Sequence, residues 1–214
     1  RFVVVPEDAP KRPTKSQLNA AKPSLESQGS IQFWAEFTAE HEGKTILKPE
    51  QMAIVIACRD ACWLDPYIAG LLEGARFEQT YYAIDPETGA LIKCRLDADR
   101  LEDGLILDFK TTEDASPDEF WRSAKKYRYG VQDAWYSDVV DKAVGAPVAE
   151  QFAFIAIEKK RPNGVGVYFY PPEEVAAARE IARADLRAIA HYTNTYGDQK
   201  WPTYTEHGAQ KLQS

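Results

Sequence analysis

The chain has 214 residues, 44% of them hydrophobic and 12% aromatic, enough to bury one sizeable core and cramped for a second. A formal net charge of −7 does not advertise nucleic-acid binding; global charge is a blunt test, however, because basic residues need only line one groove. No run approaches the roughly 18 apolar residues that cross a bilayer, and three cysteines (Cys58, Cys62, Cys94) without a Cys-x-x-Cys pair exclude a disulfide framework, a zinc knuckle and a four-cysteine iron–sulfur cluster.

These features predict a soluble, intracellular protein with one domain over residues 1–214. Arg1-Phe2-Val3-Val4-Val5-Pro6 lacks the apolar stretch of a signal peptide and reads as the middle of an ordered segment, so residues are expected upstream of it. The first 30 or so residues, with Pro6, Pro10, Pro13 and Pro23, form an irregular arm with one short helix. From Lys48 to about Gly74 the pattern is helical: Pro49 opens one helix, Asp65-Pro66 caps and opens a second, and Gly74 stops it. Cys58 and Cys62, four apart on that stretch, read as small buried hydrophobes.

Three strand-like runs follow, Arg76 to Ile84, Ala90 to about Arg100, and Gly104 to Lys110. Asp85-Pro86-Glu87-Thr88-Gly89 joins the first two and Glu102-Asp103-Gly104 the second pair, predicting a β-meander. Ser116-Pro117-Asp118-Glu119 carries a capping box and a first-turn proline, so a helix starts there, bends near Gly130 and fades by Val144-Gly145. Gln151 to Glu158 and Gly164 to Tyr170 are two more strands, and Pro172 to about Tyr192 is an Ala-rich helix. The aromatic tail Trp201-Pro202-Thr203-Tyr204 packs down. The order gives a mixed α/β fold, a central sheet flanked by helices.

The chemistry lies in Arg95-Leu96-Asp97 and Asp108-Phe109-Lys110-Thr111. Asp108 and Lys110, two apart on a strand, project from one face. A turn near Glu102-Asp103-Gly104 sets Asp97 on the neighbouring antiparallel strand, level with or near Asp108. Two carboxylates, with the Phe109 backbone carbonyl as a further donor, suit a Mg²⁺ ion that keeps several waters. Such an ion activates water and stabilises phosphate charge, and Lys110 beside it can orient that water. Asp-x-Lys alone equally describes a surface ion pair at a strand end. Tyr129, Gln132 and Tyr136 fall on one helical face that can lie over this cleft; both tyrosines read equally well as core. Arg122, Lys125, Lys126 and Arg128 are a candidate phosphate track or a solvated helix face. His41, His191 and His207 have no partner at ligand spacing.

Taken together, Arg95-Leu96-Asp97, Asp108-Phe109-Lys110-Thr111 and Gln132-Asp133-Ala134-Trp135-Tyr136 resemble the RecE-type (exonuclease VIII) branch of the PD-(D/E)xK nuclease superfamily. Tyr127 to Gln132, Phe154 to Lys159 and Trp201 to Tyr204 extend the resemblance over most of the chain. It implies a restriction-endonuclease-like core and a catalytic set of Asp97, Asp108, Lys110, Gln132 and Tyr136. It also implies metal ligation by Asp97, Asp108 and the Phe109 carbonyl, with Glu78 as a ligand or water-mediated neighbour, and DNA contacts from Arg95, Thr111, Arg122, Lys125, Lys126, Arg128 and Tyr129. The implied activity is Mg²⁺-dependent hydrolysis of linear double-stranded DNA, 5′ to 3′, with Mn²⁺ as a substitute. The implied assembly is a ring-shaped homo-oligomer, tetramer or trimer, working with a single-strand annealing protein in the cytoplasm of a bacterial or phage-infected cell. The family's histidine on an upstream helix has no counterpart in this sequence. An endonuclease or single-strand nuclease of the superfamily, and a non-catalytic DNA-binding module with the same fold, are the alternatives.

Overall fold

The computed structural model describes residues 2–201. The chain forms two compact units, divided between Ala61 and Cys62. In the first, β1 (Phe2–Val4), α1 (Lys15–Leu18), α2 (Leu25–Glu40) and β2 (Thr45–Leu47) precede α3 (Pro49–Leu64), and β1 pairs parallel with β2. The expected short helix is α1, opened by a capping box between Thr14 and Gln17. The second helix starts earlier than the arm's composition suggests, because the Ser24 hydroxyl caps it by accepting from the Ser27 amide. His41 sits at its C-terminal end, edge-on to Phe37 at 4.6 Å.

The second unit opens with α4 (Pro66–Leu72), whose amides at Tyr67 and Ile68 donate to the Asp65 carboxylate at 2.9 and 3.0 Å. Gly74, at φ 73°, supplies the left-handed stop that a side chain resists. A five-stranded sheet follows in the order β3 (Arg76–Ile84), β4 (Leu91–Arg100), β5 (Leu105–Thr112), β6 (Gln151–Glu158), β7 (Val165–Phe169). The first three strands make the expected antiparallel meander. β5 and β6 run parallel, and the crossover that a parallel pair requires carries two helices, α5 (Pro117–Lys126) and α6 (Tyr129–Val144). Consistent with a strand covered on both faces, six consecutive residues of β6, Phe152 to Ile157, are buried. The molecule is thus a mixed α/β protein built on a central mixed sheet flanked by helices.

Packing of α6 on this sheet makes the core: Cys94, Ile106, Phe152 and Phe154 from the strands meet Val139 and Val140 from α6 and Phe120 and Ala124 from α5. α7 (Pro172–Tyr196) packs along α6 and is tied to the β3–β4 turn. In that turn the fully buried Asp85 carboxylate accepts from the Thr88 amide and hydroxyl at 2.9 and 2.8 Å and pairs with Arg183 at 2.9 Å. Burial alone would raise this carboxyl, but the Thr88 donors and Arg183 outweigh it and hold it below its ordinary value. Cys58 and Cys62 are buried, as their spacing predicts, and so is Cys94, whose thiol burial pushes up to about 12. Among the described residues no helix is long and apolar enough to cross a membrane.

Three further local expectations differ from the structure. The Ser116 hydroxyl makes no capping bond; Asp114 instead accepts from the Ser116 amide at 2.7 Å, and Glu119 turns to Arg122. The helix breaks at Arg128 (φ 57°) and not at Gly130. Gly130 serves close packing: a Cβ there would lie 3.3 Å from the Tyr170 ring and 3.5 Å from Ala178. Finally, α7 runs one turn beyond Tyr192, where Tyr192 stacks on Tyr196 and on Trp201. Pro202, Thr203, Tyr204 and His207 lie outside the described residues.

Candidate metal centre

The site sits where the β4–β5 ladder ends. The last paired residues are Ala98 and Leu107, and one step further the same register sets Asp97 opposite Asp108. There the Asp97 side chain replaces the ladder, its Oδ2 accepting from the Phe109 amide at 2.9 Å. A carboxylate that satisfies a strand amide holds one rotamer, so Asp97 is fixed beside Asp108. The register of β3 on β4 likewise sets Glu78 opposite Asp97. Glu78, however, has φ 58°, rare for a residue with a side chain inside a strand. The alternation of β3 breaks at this residue: Arg76 and Tyr81, an odd number of residues apart, both bond the same carboxylate, Asp99. Glu78 itself is ion-paired with the exposed Arg95.

Asp108 is 4% exposed, and its two oxygens differ. Oδ1 accepts from the Gln132 amide nitrogen at 2.5 Å. Oδ2 is buried and accepts no hydrogen bond of sound geometry; the Lys110 ammonium lies 2.5 Å away as an ion pair. That ammonium also donates to Gln132 Oε1 at 2.9 Å. One amide therefore clamps the acid and the lysine in a fixed relation. Lys110 is held further by aromatic faces, its Nζ lying 4.7 Å from the Tyr129 ring centre and 5.9 Å from that of Phe154. Burial pushes the Asp108 carboxyl above its ordinary value; Lys110 pulls against this and the Asp97 charge adds to it. Burial, with the Asp108 charge second, also raises the phenols of Tyr129 and Tyr136, which keeps both as neutral donors beside the acids.

Among the described residues no three His, Cys, Asp or Glu side chains converge as a metal cluster. What converges is a pair of carboxylates, one with a buried oxygen that lacks a hydrogen bond. Hard oxygen donors of low number and negative in sum, one of them lacking a hydrogen bond, fit a small divalent cation that keeps most of its own waters. A single divalent ion between Asp97 and Asp108 would also relieve their mutual repulsion.

The other sequence-predicted residues are distributed around this centre. Gln132 and Tyr129 reach Lys110 directly, while Tyr136 stands over Phe152. Thr111 and Arg95 are exposed, and Thr111, one residue from Lys110 on β5, alternates to the other face of the strand. Of the four basic residues on the α5 stretch, Arg122 is paired with Glu119 and Arg128 with Asp185 at 2.8 Å. Lys125 and Lys126 instead lie over the Trp121 and Tyr127 rings, at 4.6 and 5.3 Å. Sequence reasoning missed Phe154, which pairs with Asp108 across β5 and β6 and backs the lysine. It also missed Asp99, fully buried two residues from Asp97 and held by Arg76 at 2.5 Å and the Tyr81 hydroxyl at 3.2 Å. The only signal for Asp99 was its spacing from Asp97. It anchors the strand that presents the first acid.

The Gln132 clamp has a testable consequence. Gln132→Leu keeps the side chain's bulk but frees Lys110 and leaves Asp108 Oδ1 unsatisfied. Any metal-dependent turnover is expected to fall about 10–100-fold, the usual effect of losing an outer partner of a metal ligand. Steady-state kinetics with the folded variant would check it; unchanged kcat would mean that the clamp is incidental.

Comparison with known proteins places this geometry. Residues 24–211 match the family model described as "PDDEXK-like domain of unknown function (DUF3799)". A solved structure from Eubacterium rectale, described as a "putative exonuclease", superposes with a TM-score of 0.57 at 16% identity, over 87% of this chain and 71% of that one. A phage-related exonuclease from Haemophilus somnus 129PT is 14% identical over 85% of this chain and 92% of that one, with a TM-score of 0.36. No curated protein matches the sequence. At these identities the first structure establishes a shared fold, and the second is too distant in shape to argue from.

Proposed function

The chain belongs to the PDDEXK-like domain family (DUF3799), with the restriction-endonuclease-like core of the PD-(D/E)xK nucleases, and from that premise we propose that it is a metal-dependent exodeoxyribonuclease. The observation that carries this reading is the pairing of Asp97 with Asp108 beside a lysine that Gln132 holds in place. Asp97, Asp108 and the Phe109 carbonyl would hold Mg²⁺, with Mn²⁺ as a substitute and Glu78 able to join once released from Arg95. The bound ion would supply Lewis acidity toward the phosphate and activation of the attacking water. Lys110, fixed by Gln132 and the Tyr129 face, orients that water and offsets charge on the phosphate. Tyr136, neutral and adjacent, donates toward the phosphate. Lys125 and Lys126 take the flanking backbone, with Thr111 as a further backbone contact.

The substrate is the end of linear double-stranded DNA, degraded 5′ to 3′ in recombination. The RecE-type arrangement of Arg95-Leu96-Asp97, Asp108-Phe109-Lys110-Thr111 and Gln132 to Tyr136 supports this finer reading. It extends to a ring-shaped trimer or tetramer around the DNA and to a single-strand annealing partner. Digestion of linear and covalently closed forms of one plasmid tests the exonuclease assignment. Only the linear form is expected to be consumed, with label lost first from 5′ ends; nicking or linearisation of the closed circle would make the protein an endonuclease.

A further inference from the structure

The break between α5 and α6 has a geometric result that the nuclease motif does not require. In an unbroken helix Tyr127 and Tyr129 would point about 200° apart and could not touch. Arg128 between them adopts φ 57°, its side chain paired with Asp185, and the two rings stack with centres 6.0 Å apart and planes 22° from parallel. Tyr129 in turn stacks on Phe154 at 5.5 Å and 16°. The three rings form a nearly parallel column whose inner members hold the Lys110 ammonium. Its outer member, Tyr127, is 61% exposed. A large aromatic ring left in water contributes little to its own fold, whereas one stacked on the ring that holds Lys110 offers an open π-face beside the candidate metal centre. The Lys126 ammonium lies over that ring at 5.3 Å, a flexible cation beside an open aromatic face.

We propose that Tyr127 is a base-stacking residue: it receives an unpaired nucleobase of the strand being cut, next to the scissile phosphate, while Lys126 moves from its ring to the adjoining backbone phosphate. The inference rests on the nuclease reading above and adds to it that the end of the duplex must be frayed by at least one base to engage. Stacking on a tyrosine is indifferent to base identity, so the site favours single-stranded character and not sequence. Arg128 acts as the positioning residue, since its left-handed turn is what brings the two rings together.

The test places 2-aminopurine singly at successive positions from the 5′ end of a linear duplex, bound to the full chain in Ca²⁺, and then measures Mg²⁺-dependent cleavage of matched duplexes carrying an abasic site. Wild type and Tyr127→Phe should quench 2-aminopurine fluorescence at one position, and Tyr127→Ala should not. Either Tyr127→Ala or an abasic site at that position should lower kcat/KM about 10-fold, with no further loss when the two are combined. Multiplying losses, or quenching that survives in Tyr127→Ala, would overturn the assignment while leaving the nuclease reading intact. A wild-type protein that neither binds nor cuts the duplex would overturn both.

Discussion

Asp108→Asn is expected to lower DNA cleavage by about 10³-fold or more while the protein stays folded. The substitution keeps the shape and the oxygen that accepts from Gln132, but removes the charge that a divalent cation needs. Stability should hold because the lost ion pair with Lys110 is offset by the removal of a charge that burial already disfavours. Lys110→Ala should be equally inactive for a different reason and with a different signature. It leaves the Asp108 carboxylate buried beside Asp97 without its cation, a loss of about 3 kcal/mol for a broken buried pair. Denaturant melts of the two variants beside activity assays separate these cases. A Lys110→Ala variant as stable as Asp108→Asn would mean that leaving the Asp108 carboxylate without its cation costs the fold nothing.

The second large effect concerns Asp133, which neighbours the clamp residue on α6 but has no part in the chemistry. It is 5% exposed, receives among the described residues a single 3.5 Å contact from the Ser137 hydroxyl, and faces Arg179, whose guanidinium is engaged with Asp138 at 2.8 Å. Burial pushes its carboxyl from 3.8 up to about 7, with Arg179 and Ser137 opposing only in part. The sign follows from the raised folded-state value: the fold accommodates the protonated acid, so this stability is complete below pH 3.8 and drains away as pH rises to about 7. Asp133→Asn, neutral throughout, should gain on wild type by up to about 4 kcal/mol at pH 8 and by little at pH 4. Urea melts of both proteins across that range decide it. A wild-type stability that does not decline relative to the variant would show that Asp133 is ionised in the fold without penalty.

Much of this arrangement was legible in the sequence because it depends on short-range periodicity. Asp108 and Lys110 share a face by strand alternation, and the turn at Glu102-Asp103-Gly104 sets the register that brings Asp97 opposite Asp108. Tyr129, Gln132 and Tyr136 lie on one face of α6 for the same reason. What escaped was of two kinds. Backbone states of single residues, such as the positive φ at Glu78 and Arg128, have no composition signal when the residue is neither Gly nor Asn. Gly130 drew the expected bend to itself, although tight packing against Tyr170 is what that glycine serves. Partnerships across long stretches of chain, such as Arg128 with Asp185, Arg183 with Asp85 and Phe154 behind Lys110, follow from tertiary packing and leave no local trace.

The arrangement of Asp97 explains why it makes the sharper probe of the centre. Its carboxylate is held by a strand amide and not by the lysine, so its removal disturbs neither the Gln132 clamp nor the Asp108–Lys110 pair. The most direct measurement is therefore release of nucleotides from end-labelled linear duplex DNA as Mg²⁺ is raised from zero, for wild type and Asp97→Ala. Wild type should be inert without Mg²⁺ and reach a saturable rate with it, while the variant stays inert throughout the titration. Cleavage by wild type in EDTA, or an undiminished Mg²⁺-dependent rate in Asp97→Ala, would contradict the assignment of Asp97 and Asp108 as the metal centre of a nuclease.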